Sequence, residues 1–262
     1  MRFEKQAKGF TLIEMAIVLV IIGIILAGVM KGRDIVRGAQ VKQFSQQFAQ
    51  KWGTVAQTYY DKTGQQLNDG AANGGVTTAS PDGWMDGGLD GRTEAIKDAV
   101  EAVGVDLCSI VKSKLIDRTA GAGTVTQYNI PNNNAMCKGD ATGGTNVMNP
   151  WQAQVDGEYA GPTVVSVDLV ALNLTIGGRV LQRNVIVFYN VPTDVAQGID
   201  TAVDARNDGL AGSCVGLGAG YLRNGGAQLA AGAAIEATAW REAVSQTSNQ
   251  ALCQTVGIIL DY

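Results

Sequence analysis

Between Phe10 and Met30 lie 21 residues of which only Thr11 and Glu14 carry polar side chains. As a helix rising about 1.5 Å per residue, this run reaches across the roughly 30 Å of a bilayer's hydrocarbon. It presents a rod that must be covered by lipid or by other rods. The carboxylate of Glu14, four residues into the run, is expensive there: an acid near the middle of a membrane helix costs about 2.5–3.5 kcal/mol on insertion scales. Such a group is by default functional and calls for a cationic partner. Two plainer readings compete. A cleaved secretory signal has an apolar core of about 7–15 residues ending in a small-residue cut, shorter than this run. An ordinary anchor would place Glu14 by chance near the headgroup layer. Arg2, Lys5 and Lys8 before the run balance Lys31, Arg33 and Arg37 after it, so charge flanks do not set its orientation.

The segment Lys8-Gly9-Phe10-Thr11-Leu12-Ile13-Glu14, passing into the uncharged tract Met15 to Met30, resembles the processing site of type IV prepilins. The resemblance implies a class III signal peptide: residues 1–9 are a leader removed by a prepilin peptidase, which cuts between Gly9 and Phe10 and N-methylates Phe10. The new amine stays cationic and is the implied partner of Glu14 on a neighbouring subunit. In a low dielectric the same environment that penalises a lone charge strengthens the pair, so the acid becomes a registration device. The implied partners are the peptidase/methyltransferase, other pilin or pseudopilin subunits, and the inner membrane before assembly. The implied product is a structural subunit, not an enzyme, with a periplasmic head and a place in a filament. A large, loop-rich head favours a minor pilin of a type IV pilus. A type II secretion pseudopilin shares the whole N-terminal argument, and a membrane-tethered ligand-binding or carbohydrate-active head is the alternative from another class.

One helix is expected over residues 10–61, about 75 Å long. Residues 10–30 are its transmembrane and filament-core half, and residues 31–61 its amphipathic half. Val41, Phe44, Phe48, Trp52, Val55 and Tyr59 step by three or four and share one face, with Lys42, Gln43, Gln46, Gln47 and Gln50 elsewhere. Many pilin-like stems have a Pro near Met30–Gly32; this chain has none, although Leu26 to Ile35 and the ending Tyr59-Tyr60-Asp61-Lys62-Thr63-Gly64 are similar to a broad group of minor-pilin-like proteins.

Residues 62–262 form the expected globular head, giving an α+β fold in which the long helix packs on an antiparallel β-sheet, the pilin-like arrangement. Residues 64–91 and 139–149 are rich in Gly, Asn and Thr and read as loops, with Trp84 pinning the first of them. Helices are expected over 93–103, 107–116 and 227–245. Thr193 is expected to cap a further helix that Gly209 stops. The best β signal is Thr163–Ile176, a Gly177-Gly178 turn and Val180–Tyr189. Thr124–Ile130 is a third strand and Thr255–Leu260 an edge strand.

The head holds 12 Lys+Arg against 20 Asp+Glu, a formal charge of −8, and the chain has no His. An acidic head does not draw nucleic acid by counterion release, so none is expected for this subunit alone. Cys108, Cys137, Cys214 and Cys253 all lie in the head and read as two disulfides of an oxidising compartment. Three connectivities exist; 108–137 with 214–253 is favoured because each closes a sequence-local loop. Without His or a Cys-x-x-Cys, neither a zinc site nor a His-activated thiol is expected. Asp200, Asp204 and Asp208 share a face if their helix persists, which makes them a candidate calcium site, weighed against a solvated helix end; no other cofactor is expected. Trp84, Trp151, Tyr159, Tyr221 and Trp240 are candidates for a sugar-binding surface, weighed against buried anchors.

Overall fold

The computed structural model describes residues 12–88, 92–111, 116–117, 146–147, 150–158, 160–218, 229–240 and 253–261. The chain divides into two compact units, Met1–Ala39 and Gln40–Tyr262. In the first unit every described residue from Leu12 to Val36 on helix α1 (Leu12–Phe44) is solvent-exposed in the single chain. This helix is long and apolar enough to cross a membrane, and its most apolar window has no buried residue. A helix apolar all round cannot select one face to bury, which is what lipid or a bundle of like helices tolerates.

The second unit begins in the last turn of α1 and continues through a π turn (Ser45–Ala49) into α2 (Gln50–Thr63), which stops at Gly64 in the left-handed conformation. The expected amphipathic stripe is the buried one: Phe44, Phe48, Trp52, Val55 and Tyr59 are buried, with Val41 packed at the margin. The π turn interrupts what the sequence presented as uninterrupted α-helix. Its wider backbone buries Ser45 and Ala49 beside the Phe44 and Phe48 rings, whose centroids are 5.3 Å apart.

The head sheet is ordered β3 (Gln152–Gly157), β4 (Gly161–Ile176), β5 (Arg179–Pro192), β8 (Cys253–Leu260), β6 (Cys214–Gly216), all antiparallel, with β7 (Ala234–Glu236) running parallel to β4. β1 (Ile116–Asp117) and β2 (Asn146–Val147) form a separate two-stranded pair. The expected hairpin is β4–β5, in register from Ser166↔Tyr189 to Ile176↔Arg179. Gly177 and Gly178 both have positive φ, the requirement of the two-residue turn whose twist matches the strands. The helices are α3 (Thr93–Ala102), α4 (Leu107–Ile110) and α5 (Thr193–Asp204). α4 is capped by Asp106, whose carboxylate accepts the N–H groups of Cys108 and Ser109.

The long loop after α2 differs from the expected surface connection. Leu67, Asn68, Asp69, Asn73 and Met85 are buried, and a 3-10 turn occupies Ala71–Asn73. Met85, not the partly exposed Trp84, pins it. Its end acts as a strand: Ala171 N–H donates to Met85 O at 2.9 Å, Gly87 N–H donates to Leu169 O at 3.1 Å, and Asp86 bridges Val170. The outer edge of β4 is therefore covered in turn by β3, by 85–87 and by β7, which removes an open edge from the longest strand. Gly87 is needed there, since its φ is +67° and a Cβ would sit 2.7 Å from Val170 Cγ2.

Four further expectations are corrected. β8 is not an edge strand: it lies between β5 and β6 with every residue buried, because the three-residue β6 covers its far side. The alanine-rich stretch expected as a helix over 227–245 is not helical where it is described, 229–240. Its alanines are taken into a ladder in which Asn173 N–H donates to Ala233 O and Ala237 N–H donates to Thr175 O. α4 ends at Ile110, and Ile116 is in a strand. α5 takes Thr193 as its first residue, after Pro192, and ends at Asp204, with Ala205 rather than Gly209 supplying the left-handed residue. The expected strand Thr124–Ile130 lies outside the described residues.

The stem and sheet meet through aromatic contacts. Phe48 meets Phe188 edge-on at 5.8 Å between centroids, and Trp52 lies 4.7 Å from Trp151 while its indole N–H donates to Pro150 O at 2.9 Å. Trp52 is fully buried. Trp52→Ala should therefore destabilise the head by about 3–5 kcal/mol, and Trp52→Phe by clearly less, in chemical unfolding of the full chain in detergent followed by near-UV circular dichroism.

Candidate functional site

Two polar clusters organise the head. In the first, Asp86 accepts the N–H groups of Gly70 (3.0 Å) and Val76 (2.6 Å) on Oδ2, which also lies 3.8 Å from Arg92 Nη1. Arg92 Nε and Nη2 donate to Gly88 O at 3.0 and 2.8 Å, and Gly88 N–H reaches Asp168 Oδ2 at 3.3 Å. Burial lowers the Arg92 pKa, and the carboxylates of Asp86 and Asp168 oppose that shift. Asp69 clips the neighbouring turn by accepting the N–H groups of Asp82 and Gly83; burial nevertheless raises its pKa, those two bonds pulling the other way. This cluster fastens the glycine-rich loop to the sheet. Sequence reasoning did not single out Asp168, although a lone acid inside Val164-Val165-Ser166-Val167-Asp168-Leu169-Val170 was the available signal.

The second cluster holds the three acids weighed as a calcium site. They do not share a helix face, because α5 stops at Asp204 and Asp208 lies in the turn beyond. Asp200 Oδ2 accepts from Trp240 Nε1 at 2.7 Å, Asp208 N–H at 3.0 Å and Gly209 N–H at 3.1 Å. Asp204 accepts the N–H groups of Arg206 (3.1 Å) and Cys214 (3.3 Å). Asp208 accepts those of Leu210 (2.8 Å) and Ala211 (3.1 Å), which hold its pKa below the ordinary value. Among the described residues no group of three or more His, Cys, Asp or Glu is placed to hold a metal ion. Asp204 and Asp208 are spent on backbone donors, and Asp200 Oδ2 on two backbone donors and the Trp240 indole.

The candidate aromatic surface is not assembled either. Trp151 stacks on Trp52 in the core and Trp240 is buried on Asp200, while Trp84 is partly exposed elsewhere. Indoles are buried here because each ring has an apolar seat, and that of Trp240 also has an acceptor. Tyr159 and Tyr221 lie outside the described residues.

The 214–253 disulfide is corrected by the strand register. Cys214 stands opposite Ile258 and Cys253 opposite Pro192, five residues further along β8. At about 3.3 Å per residue that is roughly 16 Å of strand, far beyond the ~7 Å limit for bridged Cα atoms. Cys214 is a buried thiol whose pKa is raised, first of all by burial. Cys108 lies in α4, and Cys137, its expected partner, lies outside the described residues.

Of the N-terminal site, Gly9 and Phe10 lie outside the described residues, and Glu14 stands in the first described turn of α1. One turn on, at the i+3 and i+4 positions that neighbour it on a helix surface, are Ile17 and Val18, both solvent-exposed in the single chain. The acid thus has apolar neighbours on that side of the helix, a setting in which a carboxylate is costly. An apolar, membrane-length helix leading into an α+β head is a pilin-like architecture and fits a membrane-anchored precursor. Residues 5–30 match the prokaryotic N-terminal methylation motif, the class III signal peptide of type IV pilins and pseudopilins. The chain carries the motif of a pilin- or pseudopilin-like precursor, a class of structural subunits handled by prepilin peptidase and assembled with other pilin subunits. No curated protein and no solved structure matches the chain.

Mass mapping of a non-reduced digest should return the Cys214 and Cys253 peptides unlinked to one another. A cross-linked pair would contradict the β6–β8 register.

Proposed function

We propose that this chain is a minor subunit of a type IV pilus. The observation that carries the reading is the methylation motif over residues 5–30, set on a helix whose membrane-length part is bare in the single chain and which supplies the head's core with its second half. Prepilin peptidase cleaves between Gly9 and Phe10 and methylates the new Phe10 amine. The subunit waits in the inner membrane with its head in the periplasm, and is then drawn into a filament where apolar stems replace lipid as each other's surroundings. Glu14 compensates its own burial by pairing with the Phe10 amine of a neighbour, which fixes the axial register of the stack. The head, residues 62–262, supplies the filament's outer surface. Within it, Cys108–Cys137 is a disulfide that fastens α4 to the segment before β2.

Mass spectrometry of the mature N-terminus tests the processing step: a methylated Phe10 is expected, and a polypeptide starting at Met1 or at any other residue contradicts it. Glu14→Ala should leave insertion and cleavage intact while cutting incorporation into sheared filaments at least tenfold. Unchanged incorporation would remove the charge pair from the mechanism. Recovery of the wild-type subunit only in a short periplasmic filament, and not in surface pili, would assign it to a type II secretion pseudopilus instead.

A further inference from the structure

The Asp200 carboxylate is fully buried, and its two oxygens are treated very differently. Oδ2 takes three N–H donors, whereas Oδ1 is buried with no hydrogen-bond donor directed at it. The groups around it are set by the elements that pack there. From its own helix comes Asp204, in side-chain contact with it and negatively charged, and from β6 comes the Cys214 thiol, also in contact. From the turn come Asp208, whose carboxylate is turned to Leu210 and Ala211, and Arg206, whose charge acts on Asp208. From the segment after β7 comes the Trp240 indole, which is neutral, and from the stem Gln50, bonded to Ala202 O. Among the described residues no cation bears on Asp200, and Asp204 brings a like charge to it. Asp200 is buried and Asp204 half-buried, and two carboxylates in contact ionise together only at a cost that a proton on the buried one removes. A divalent ion is the alternative compensation, but hard cations need about six or more oxygen ligands, and both Asp204 oxygens already hold backbone N–H groups.

We infer that Asp200 is kept as a neutral carboxylic acid whose Oδ1–H is shared with Asp204, making the junction of α5, the 208–216 turn and Trp240 an acid-favoured lock in the head. Three separate pieces of chain close on this one side chain. Gly209 allows the approach: its φ is +68°, and a Cβ there would lie 2.9 Å from the Trp240 ring. The direction of the pH effect follows from burial, the first cause that raises the Asp200 pKa, with the charge of Asp204 adding to it. A carboxyl whose folded pKa is raised favours folding most below its unfolded value, about 3.9, and loses that contribution as pH climbs toward the folded value.

Asp200→Asn is the informative variant, because the amide keeps an acceptor for Trp240 and places an N–H where the shared proton would be. Thermal unfolding of the full chain in detergent micelles should show wild type losing stability relative to Asp200→Asn as pH rises above about 4, with the variant's Tm coming out higher by about 2–4 °C or more. A variant less stable by the same amount at every pH would overturn the inference, since the ionised carboxylate would then be the stabilising form. Infrared spectra of the wild type guard against a folding defect in the variant. A protonated-carboxyl band persisting at neutral pH and absent from Asp200→Asn is expected, and its absence from wild type would overturn the proposal. A Tm rise with calcium chloride in wild type, lost in Asp200→Asn, would overturn it in favour of a cation.

Discussion

One helix serving two different solvents is the constraint on which the rest of this protein depends. From Leu12 to Val36 the stem is exposed all round, while from Phe44 to Tyr59 it buries a single stripe. The change occurs without proline, which would have broken the hydrogen-bond ladder. A π turn at Ser45–Ala49 stands instead near the start of the head unit, where a wider backbone seats two phenylalanine rings side by side. The stripe then dictates the sheet's inner face. Phe188 meets Phe48 and Trp151 meets Trp52, so the longest strand pair and the start of β3 are anchored on residues that precede the head in sequence. At about 1.5–3 kcal/mol for each large apolar side chain fully buried, these few contacts are of the same order as a domain's whole net stability.

The sheet's second requirement is an end to its hydrogen-bonding edges. β4 is 16 residues long, and no single described strand covers it. Three short pieces from distant parts of the chain do so: β3, Met85–Gly87 and β7. Each is too short to hold by its ladder alone, and the polar clusters make up the difference. Asp86, Arg92 and Asp168 hold the middle piece. Asn184 holds it from the facing strand, donating to Gly83 O at 2.9 Å and accepting Met85 N–H at 3.0 Å. The buried charges of the head thus stand where backbone would otherwise be left unpaired, which is where satisfied polar networks specify a structure most strongly.

What the sequence disclosed follows from how each element is stabilised. The stripe Phe44, Phe48, Trp52, Val55, Tyr59 and the hairpin turning at Gly177-Gly178 were legible because period and turn chemistry are local properties. Cys214–Gly216 and Ala234–Glu236 were not. Three residues rich in glycine or alanine carry no strand signal, and they are strands only because β8 and β4 offer an edge to pair with. The 214–253 disulfide failed for the same reason, since sequence-local loop closure says nothing about which end of β8 each cysteine occupies. The acids at 200, 204 and 208 had helical spacing, but the residue that ended the helix was Ala205, which nothing in its own chemistry marks for the left-handed region.

With no bond between Cys214 and Cys253, the described residues of the C-terminal third of the head are held to the stem-packed core by ladder and side chains. β6 reaches the core through β8, and Trp240 through Asp200. Asp200 is the one described side chain that takes hydrogen bonds from both the turn before β6 and the indole after β7. A covalent staple would have fixed that junction irrespective of conditions, whereas a buried carboxyl facing another acid ties it to the proton concentration. The head therefore has its invariant contacts at the stem, in the aromatic pairs, and its condition-dependent contact at α5 and β6. A change in what surrounds the bare part of the stem leaves the first untouched, while the second responds to the proton concentration around the head.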